Sequence, residues 1–340
     1  MRKRIGFLSF GHWQRAEWSQ TRTAADALAQ TVELAVAAEE LAVDGAFVRV
    51  HHFARQLSAP FPLLAAIGVR TSRIEIGTGV IDLRYENPLY MAEDAAVADL
   101  LSGGRLQLGV SRGSPEPAYQ GFEAFGVSSP DPRAKADIFM AAISGAGVVH
   151  ADVGGRPGSA TLPIQPQSPG LAERIWWGSG SRETAKWVGE YGLNMMSSTL
   201  LLEDTKVPFD ELQAEQIQIF RDAWRDAGHE REPRVSVSRS VIPITTDLDR
   251  QLFGRDANQD QVGWLDGAIS RFGRTYTGDP DRIAEELAQD AAVAAADTVL
   301  LTVPNQLGVD YNARLLGTIV EHVAPAIGWV DARAAAPEGA

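Results

Sequence analysis

The sequence predicts an α/β fold, a closed (β/α)8 barrel, on three observations. Short apolar runs alternate with amphipathic stretches along almost the whole chain, the pattern of parallel strands joined by helical crossovers. Eight such units can be counted, which favours a closed barrel over an open doubly wound sheet. The apolar runs end in Gly, Ser, His or Asn, and in such a barrel the active site lies at the carboxyl ends of the strands.

The elements follow in order. Residues 4–10 read as the first strand. Thr23 caps a long helix reaching about residue 43, with Asp26 as capping-box partner and Gly45 as the stop. Strand two is 46–50, followed by a helix over 60–70. Strand three is 73–81, and its helix, 89–101, ends at Gly103-Gly104. Strand four is 105–111. A helix is expected over 131–143, then an elaborated Gly- and Pro-rich connection over 145–170. Strand five is 174–177, its helix 182–191, strand six 193–196 and the next helix 209–227. Strand seven is 235–244. Residues 245–278 break the rhythm and, being far longer than the usual α/β connection of about 2–6 residues, are expected to form a mobile lid. A helix over 280–289, strand eight at 298–303 and a last helix over 308–323 complete the set. The chain is therefore expected to be one domain over 1–330, with 245–278 as an insertion and 331–340 as a frayed Ala-, Pro- and Gly-rich tail.

Composition narrows the function. The 340 residues are 45% apolar and 22% charged, ordinary for a folded globular protein. Forty-four acidic residues against 31 basic ones give a net charge of −13, which disfavours nucleic acid and anionic membrane as partners. The absence of cysteine removes disulfides, thiolate metal sites and cysteine nucleophiles. No apolar run is long enough to span a membrane. The basic start followed by residues 5–10 imitates a signal peptide, but the run is too short and His12 and Arg15 interrupt it. A cytoplasmic enzyme is expected.

Strand-end positions select four groups: His51-His52-Phe53, Gly77-Thr78-Gly79-Val80, Ser111-Arg112-Gly113 and Gly178-Ser179-Gly180-Ser181. The last is a strand, a Gly-rich turn and a helix start, where free N–H groups and the helix dipole favour an anion. Ser181 is a plausible N-cap and Thr184 adds a hydroxyl on the first turn; a simple capped helix explains the same residues. Glu183 stands where a dinucleotide fingerprint needs its third Gly, which weakens a Rossmann reading. Arg112, following a buried-looking strand, calls for an anionic partner, either an internal carboxylate or a phosphate shared with the helix at Ser181. Alternation along the strand lets only one of His51 and His52 face the mouth, where an imidazole can act as acid or base. Gly109-Val110-Ser111-Arg112-Gly113 also fits the nucleophile elbow of hydrolases, with Asp297 and His322 in the right order, although Pro115 and Pro117 interrupt the helix an elbow needs. No metal site is expected, because no His-Glu-x-x-His segment occurs. Trp13, Trp176 and Trp177, near strand ends, are candidates to line the site of a flat aromatic ligand.

Together the segments Ser72-Arg-Ile-Glu-Ile-Gly-Thr-Gly-Val80, Glu86-Asn-Pro-Leu-Tyr-Met-Ala-Glu-Asp94 and Leu101-Ser-Gly-Gly-Arg-Leu-Gln-Leu-Gly-Val-Ser-Arg-Gly113, with residues 45–53 and 176–192, resemble the bacterial luciferase-like monooxygenases. The resemblance runs from residue 5 to about 328 and is weakest over 122–158 and 245–278. It implies a TIM barrel that binds FMN, delivered reduced by a separate NAD(P)H–flavin reductase, and that activates dioxygen to oxygenate a small organic substrate. In this likeness His51 matches the catalytic histidine, acting as base or stabilising activated oxygen. Gly79 and Val80 match a pair joined by a non-proline cis peptide beneath the flavin. Arg112 matches the arginine on the FMN phosphate, Ser181 and Thr184 match phosphate-binding residues, and Gly180 precedes them. There are departures. The luciferases have Ala-Ala at the cis pair, an acidic residue at Gly180 and a cysteine at Ser111, so light emission is not expected. The resemblance also implies a homodimer. Within the superfamily the alternative is a deazaflavin-dependent oxidoreductase, whose longer acidic cofactor tail would need cations such as Arg84 and Arg182. An inactive flavin-binding subunit and an α/β hydrolase are further alternatives. Phe10, Trp13 and Phe53 are expected to wall the mouth for a moderately apolar substrate.

Overall fold

The computed structural model describes residues 2–113, 117–126, 131–201, 203, 205–254, 261–265 and 268–333. Eight parallel strands close on themselves: β1 (Arg4–Ser9), β2 (Gly45–Val48), β3 (Glu75–Thr78), β4 (Leu106–Ser111), β5 (Ile175–Ser179), β6 (Asn194–Ser197), β7 (Val235–Pro243) and β8 (Thr298–Thr302). Each pairs with the next, and β8 returns to β1 through Arg4↔Thr298 to Leu8↔Thr302, so the expected (β/α)8 barrel is the fold. The principal outer helices are α1 (Ala24–Glu40), α2 (Pro60–Arg70), α3 (Pro88–Leu101), α4 (Pro132–Ile143), α5 (Arg182–Tyr191), α6 (Phe209–Asp226), α7 (Pro280–Ala288) and α8 (Gly308–Thr318).

Local chemistry accounts for their ends. Thr23 and Asp26 form the expected capping box on α1, each side chain bonding the other's backbone N–H. Asn87, with Pro88 at the first helical position, starts α3, and Gly192 in the left-handed region ends α5. Strand alternation then sorts the core. Ile5, Phe7, Ala46, Val48, Ile76 and Leu108 face outward onto the helices, while Leu8, Phe47, Trp176, Met196 and Leu300 fill the barrel. Gly109 makes room for this filling: a Cβ there would lie 2.3 Å from the Thr78 carbonyl and 2.7 Å from the Met196 sulfur.

The amino end of the barrel is closed by polar groups. Arg234 pairs with Glu75 through two bonds of 2.8 and 2.9 Å, lies 4.9 Å from the Trp176 ring centroid, and neighbours Gln107, which accepts the Trp176 indole N–H at 2.9 Å. Asp44 ties the chain ends to this base, accepting from the Ile5 amide, the Arg2 guanidinium and the Trp329 indole.

Three stretches differ from the sequence expectation. The Gly- and Pro-rich connection contains an antiparallel hairpin, Val149–Val153 with Arg156–Leu162. Residues 245–278 are not one polar loop. Asp247–Phe253 is a helix held to α8 by Asp249, which binds both Arg314 and Tyr311. Gln261–Leu265 and Ala268–Phe272 pair with each other, Ala268–Phe272 also pairs with Leu200–Leu201, and Thr275–Gly278 runs parallel to β7. The rest of the expected lid, 255–260 and 266–267, lies outside the described residues, as do 334–340 of the expected tail. Finally, β5 extends to Ser179, so Trp176 is near its start and inside the barrel, and Trp177 packs outward on Trp187. Neither tryptophan is at the mouth.

Candidate active site

The carboxyl mouth holds a cavity of about 610 Å³. Inward positions of four strands or their continuations reach it: Phe10 after β1, Arg49 after β2, Ser238 and Ser240 on β7, and Thr302 on β8. The same parity that buries Gly45 and Phe47 inside the barrel carries Arg49 to its rim. His12 completes this side. Its backbone is clamped by Asn305, whose side chain accepts from the His12 amide at 3.0 Å and donates to its carbonyl at 2.8 Å. The His12 ring stacks on Phe10, and the Arg49 guanidinium lies 4.8 Å from the Phe10 centroid. Phe209, Ile242, Leu252 and Phe253 supply an apolar wall opposite.

His51 stands in the field of Arg49 and His12 just behind this wall. Burial first, then the Arg49 charge, push its pKa down to about 4, so the ring is a neutral imidazole at pH 7. His12 is lowered by the same two causes. His52 points elsewhere. It sits edge-on between Tyr85 and Phe122 at 5.3 and 5.0 Å, and its buried Nε2 has no hydrogen-bond partner. Sequence reasoning singled out His51 but not Arg49 or His12. The signal was available, since Arg49 is a cation at an inward position of a buried strand.

The expected phosphate residues gather on the other side of the mouth. Gly79-Val80 is a non-proline cis peptide. Val80, Ser111 and the Gly178 backbone are neighbours, a Cβ on Gly178 falling 3.2 Å from that of Ser111 and 3.5 Å from a Val80 methyl. Ser181 caps α5, accepting from the Thr184 amide at 3.2 Å and donating to its hydroxyl at 3.0 Å. Gly180 is needed there, because a Cβ would meet the Leu200 carbonyl at 2.8 Å. Arg112 leaves the end of β4, the strand beside β5, and is exposed rather than buried; among the described residues no carboxylate pairs with it. One group opposes an anion: Glu203 accepts from the Arg182 amide at the start of α5, at 3.4 Å, and also binds the Arg182 guanidinium. None of Gly79, Val80, Arg112, Gly180, Ser181 or Thr184 lines the large cavity, which lies toward β7, β8, β1 and β2.

Two other expectations are corrected. Ser111 is at the carboxyl end of the barrel, whereas Asp297 precedes β8 at the amino end, where it accepts from the Val235 amide, so no Ser-His-Asp triad assembles. Phe53 is 77% exposed and meets Phe122 edge-on, and Trp13 lies under Arg55; of the three expected wall residues only Phe10 lines the cavity.

Residues 7–296 match the model of the luciferase-like monooxygenases. The chain belongs to that family. Among curated members, the alpha chain of alkanal monooxygenase from Photobacterium leiognathi is 30% identical over 204 residues, 58% of this chain and 54% of that one. The match thus spans about half the length of that relative. Two solved structures share the fold. The oxygenating constituent of 3,6-diketocamphane monooxygenase from Pseudomonas putida, in complex with FMN, is 16% identical with a TM-score of 0.66, covering 96% of this chain and 99% of its own. The coenzyme F420-dependent tetrahydromethanopterin reductase from Methanopyrus kandleri is 14% identical with a TM-score of 0.63, covering 96% and 100%. As a luciferase-like chain, its barrel mouth is the place to look for an oxidoreductase site.

Proposed function

We propose that this chain is a flavin-dependent monooxygenase that uses reduced FMN and dioxygen to oxygenate a small organic substrate, its flavin being reduced by a separate NAD(P)H–flavin reductase. The observation that carries this reading is Arg112, a cation without a carboxylate partner among the described residues, at the end of β4 beside the capped start of α5 on β5. A guanidinium with paired donors and a helix start together suit a phosphate monoester. Arg112, Ser181 and Thr184 would hold that phosphate, and Gly79, Val80 and Gly180 would offer backbone to the rest of the cofactor. Reduced flavin, when bound, supplies the electrons that activate dioxygen. His51, kept neutral at pH 7 by burial and by Arg49, presents one ring nitrogen as donor and the other as acceptor to the reacting groups. Phe10, Ile242 and Phe253 keep water from the cavity wall.

FMN is favoured over a deazaflavin such as coenzyme F420 because the two cations singled out for an acidic tail, Arg84 and Arg182, are already occupied. Arg84 is bound by Asp82 at 2.6 Å, and Arg182 by Glu203 and Glu215 at 3.2 and 2.6 Å. Exposed apolar side chains at Val69 on α2 and Tyr90, Val97 and Leu101 on α3 support the homodimer, which sedimentation would detect. Titration of the purified chain with reduced FMN and reduced deazaflavin tests the cofactor: tighter binding of the deazaflavin overturns the FMN reading. Consumption of dioxygen by the FMN-loaded chain with a reductase separates an enzyme from an inactive flavin-binding subunit.

A further inference from the structure

Residues 11–13 lead the chain out of β1 and across the carboxyl mouth, and backbone bonds hold each of them. The Gly11 amide donates to the Ser9 hydroxyl at 3.2 Å, the buried Asn305 side chain clamps the His12 amide and carbonyl, and the Trp13 amide donates to the Arg55 carbonyl at 3.2 Å. Gly11 has to be glycine: its φ is +60°, and a Cβ there would fall 2.3 Å from the Leu57 side chain. The turn so fixed lays the His12 ring flat on Phe10, with centroids 5.6 Å apart and planes 8° from parallel.

The ring nitrogens of His12 are treated differently from its backbone. Among the described residues neither bonds a protein group, and neither is sealed in the interior as His52 Nε2 is. His12 lines the 610 Å³ cavity, whereas His51 does not. Stacking alone would be served as well by a Phe or Tyr ring, so a clamped imidazole with an open polar edge points to a use for that edge. Burial first, then the Arg49 charge, lower the His12 pKa, and the ring at pH 7 is neutral, with one N–H and one lone pair. Two hydroxyls on the same rim spend their hydrogens within the wall. Thr302, opposite Leu8 in the β8–β1 register, bonds the Ser240 hydroxyl at 2.6 Å and the Arg239 carbonyl at 3.4 Å. The His12 N–H carries no such commitment.

We infer that His12 is a further catalytic residue of the mouth, the imidazole that meets the substrate itself: its ring N–H donates to an accepting oxygen of the substrate, carbonyl or phenolic, whose apolar body packs on Phe10, Ile242 and Phe253. This deepens the monooxygenase reading, on which it rests for the role of the mouth, by naming the residue that selects and orients the substrate. The two imidazoles then divide the work, and only His12 touches the organic molecule. A donor fixed by four backbone contacts and a stacked ring holds the oxygen in one place without ordering a side chain at each binding event.

The test is a binding cycle on the purified chain, read by calorimetry with and without saturating oxidised FMN. The probes are matched pairs that differ only in the oxygen: acetophenone with α-methylstyrene, and 2-naphthol with 2-methylnaphthalene. His12→Phe keeps the stack on Phe10 and removes both ring nitrogens. It should weaken the oxygen-bearing member of at least one pair about three- to tenfold, the worth of one neutral hydrogen bond, and leave the hydrocarbon within about twofold. His12→Gln, which keeps a donor, should lose less. The pair that responds tells a carbonyl from a phenol. In wild type carrying isotope-labelled histidine, the responding probe should move the His12 ring N–H resonance, assigned by its loss in His12→Gln, and its hydrocarbon partner should not; this reads the contact even where His12→Phe fails to fold. Equal losses for oxygen-bearing and hydrocarbon probes in both pairs overturn the inference, as does a His12 resonance that no probe moves. If FMN alone moves that resonance and blocks every probe, His12 faces the flavin, and the inference is again overturned. The flavin reading fails separately: an oxygen-specific loss on His12→Phe in a chain that binds no FMN leaves His12 standing and removes the cofactor assignment.

Discussion

Replacing Arg112 by alanine should separate the phosphate from the ring system of the cofactor. In the β4–β5 register Val110 lies opposite Trp177, which sets Arg112 across from the last residue of β5, two residues before the N-cap Ser181. Neighbouring strands are about 4.8 Å apart, so the Arg112 side chain and the first turn of α5 can reach one ligand. A hydrogen bond to a charged group is worth roughly 1.5–3 kcal/mol, and Arg112 is exposed, so the lower part of that range applies. Arg112→Ala is therefore expected to weaken FMN binding about ten- to thirtyfold and to leave riboflavin, which lacks the phosphate, nearly unchanged. Glu203 offers the opposite perturbation. Its carboxylate sits on the Arg182 amide at the same helix start, so Glu203→Gln should tighten FMN and again spare riboflavin. Flavin fluorescence titrations of wild type and both variants measure this. Equal losses for FMN and riboflavin on Arg112→Ala would refute the shared phosphate site and make Arg112 a structural residue.

Other expectations concern the imidazoles and the buried charges. His51→Ala should cut turnover about 10²–10⁴-fold with FMN binding kept, whereas His52→Ala, which opens a gap between Tyr85 and Phe122, should chiefly lower stability; the reverse pattern would reassign the catalytic residue. In the folded chain His51 takes a proton only near pH 4, while an unfolded chain does so near 6.5. The unfolded state then binds more protons between those values, so this contribution to stability is present above pH 6.5 and lost as pH falls toward 4. The thermal midpoint of His51→Ala should accordingly depend less on pH across that window, and an unchanged dependence counts against a neutral His51. Asp290 is 2% exposed and accepts from Arg239, from the Tyr276 hydroxyl at 2.6 Å and from the Val293 amide at 2.8 Å. Asp290→Ala strands the Arg239 charge and should cost about 3–5 kcal/mol, a fall of about 4–7 °C for a chain of this length. Adding Arg239→Met should restore part of the loss, and a calorimetric change below about 1 kcal/mol would refute the reasoning.

The barrel was legible because parallel strands covered on both faces read as short apolar runs, as β1, β2 and β8 do, while β7 alternates Val with Ser over Val235–Ser238. The cap at Thr23 was legible because it is a local hydrogen-bond pattern. The hairpin at 149–162 was not: its exposed strands carry no core face, so no alternation marks them. The apolar run of strand five stops at Trp177, which puts Trp176 and Trp177 at the mouth, but the strand continues through Gly178 to Ser179, and two residues are enough to move a side chain from rim to interior. Arg112 was expected to be costly to bury, but β4 stops at Ser111 and the guanidinium turns to water. The cavity wall was beyond local reading. Phe10, Arg49, Ser240 and Thr302 come from four strands spread over almost 300 positions, and only barrel closure brings them together.

Among the described residues, the polar floor made by Arg234, Glu75, Gln107 and Trp176 closes the amino end and leaves the carboxyl mouth as the doorway. Traffic through one doorway has a sequence. Whatever lies deepest must arrive first and depart last, and a molecule seated nearer the rim cannot be bypassed by one beneath it. Exchange of the inner occupant is then gated by the dwell time of the outer one, so a tightly held product at the rim would delay renewal of everything behind it, however weakly the inner occupant itself is bound.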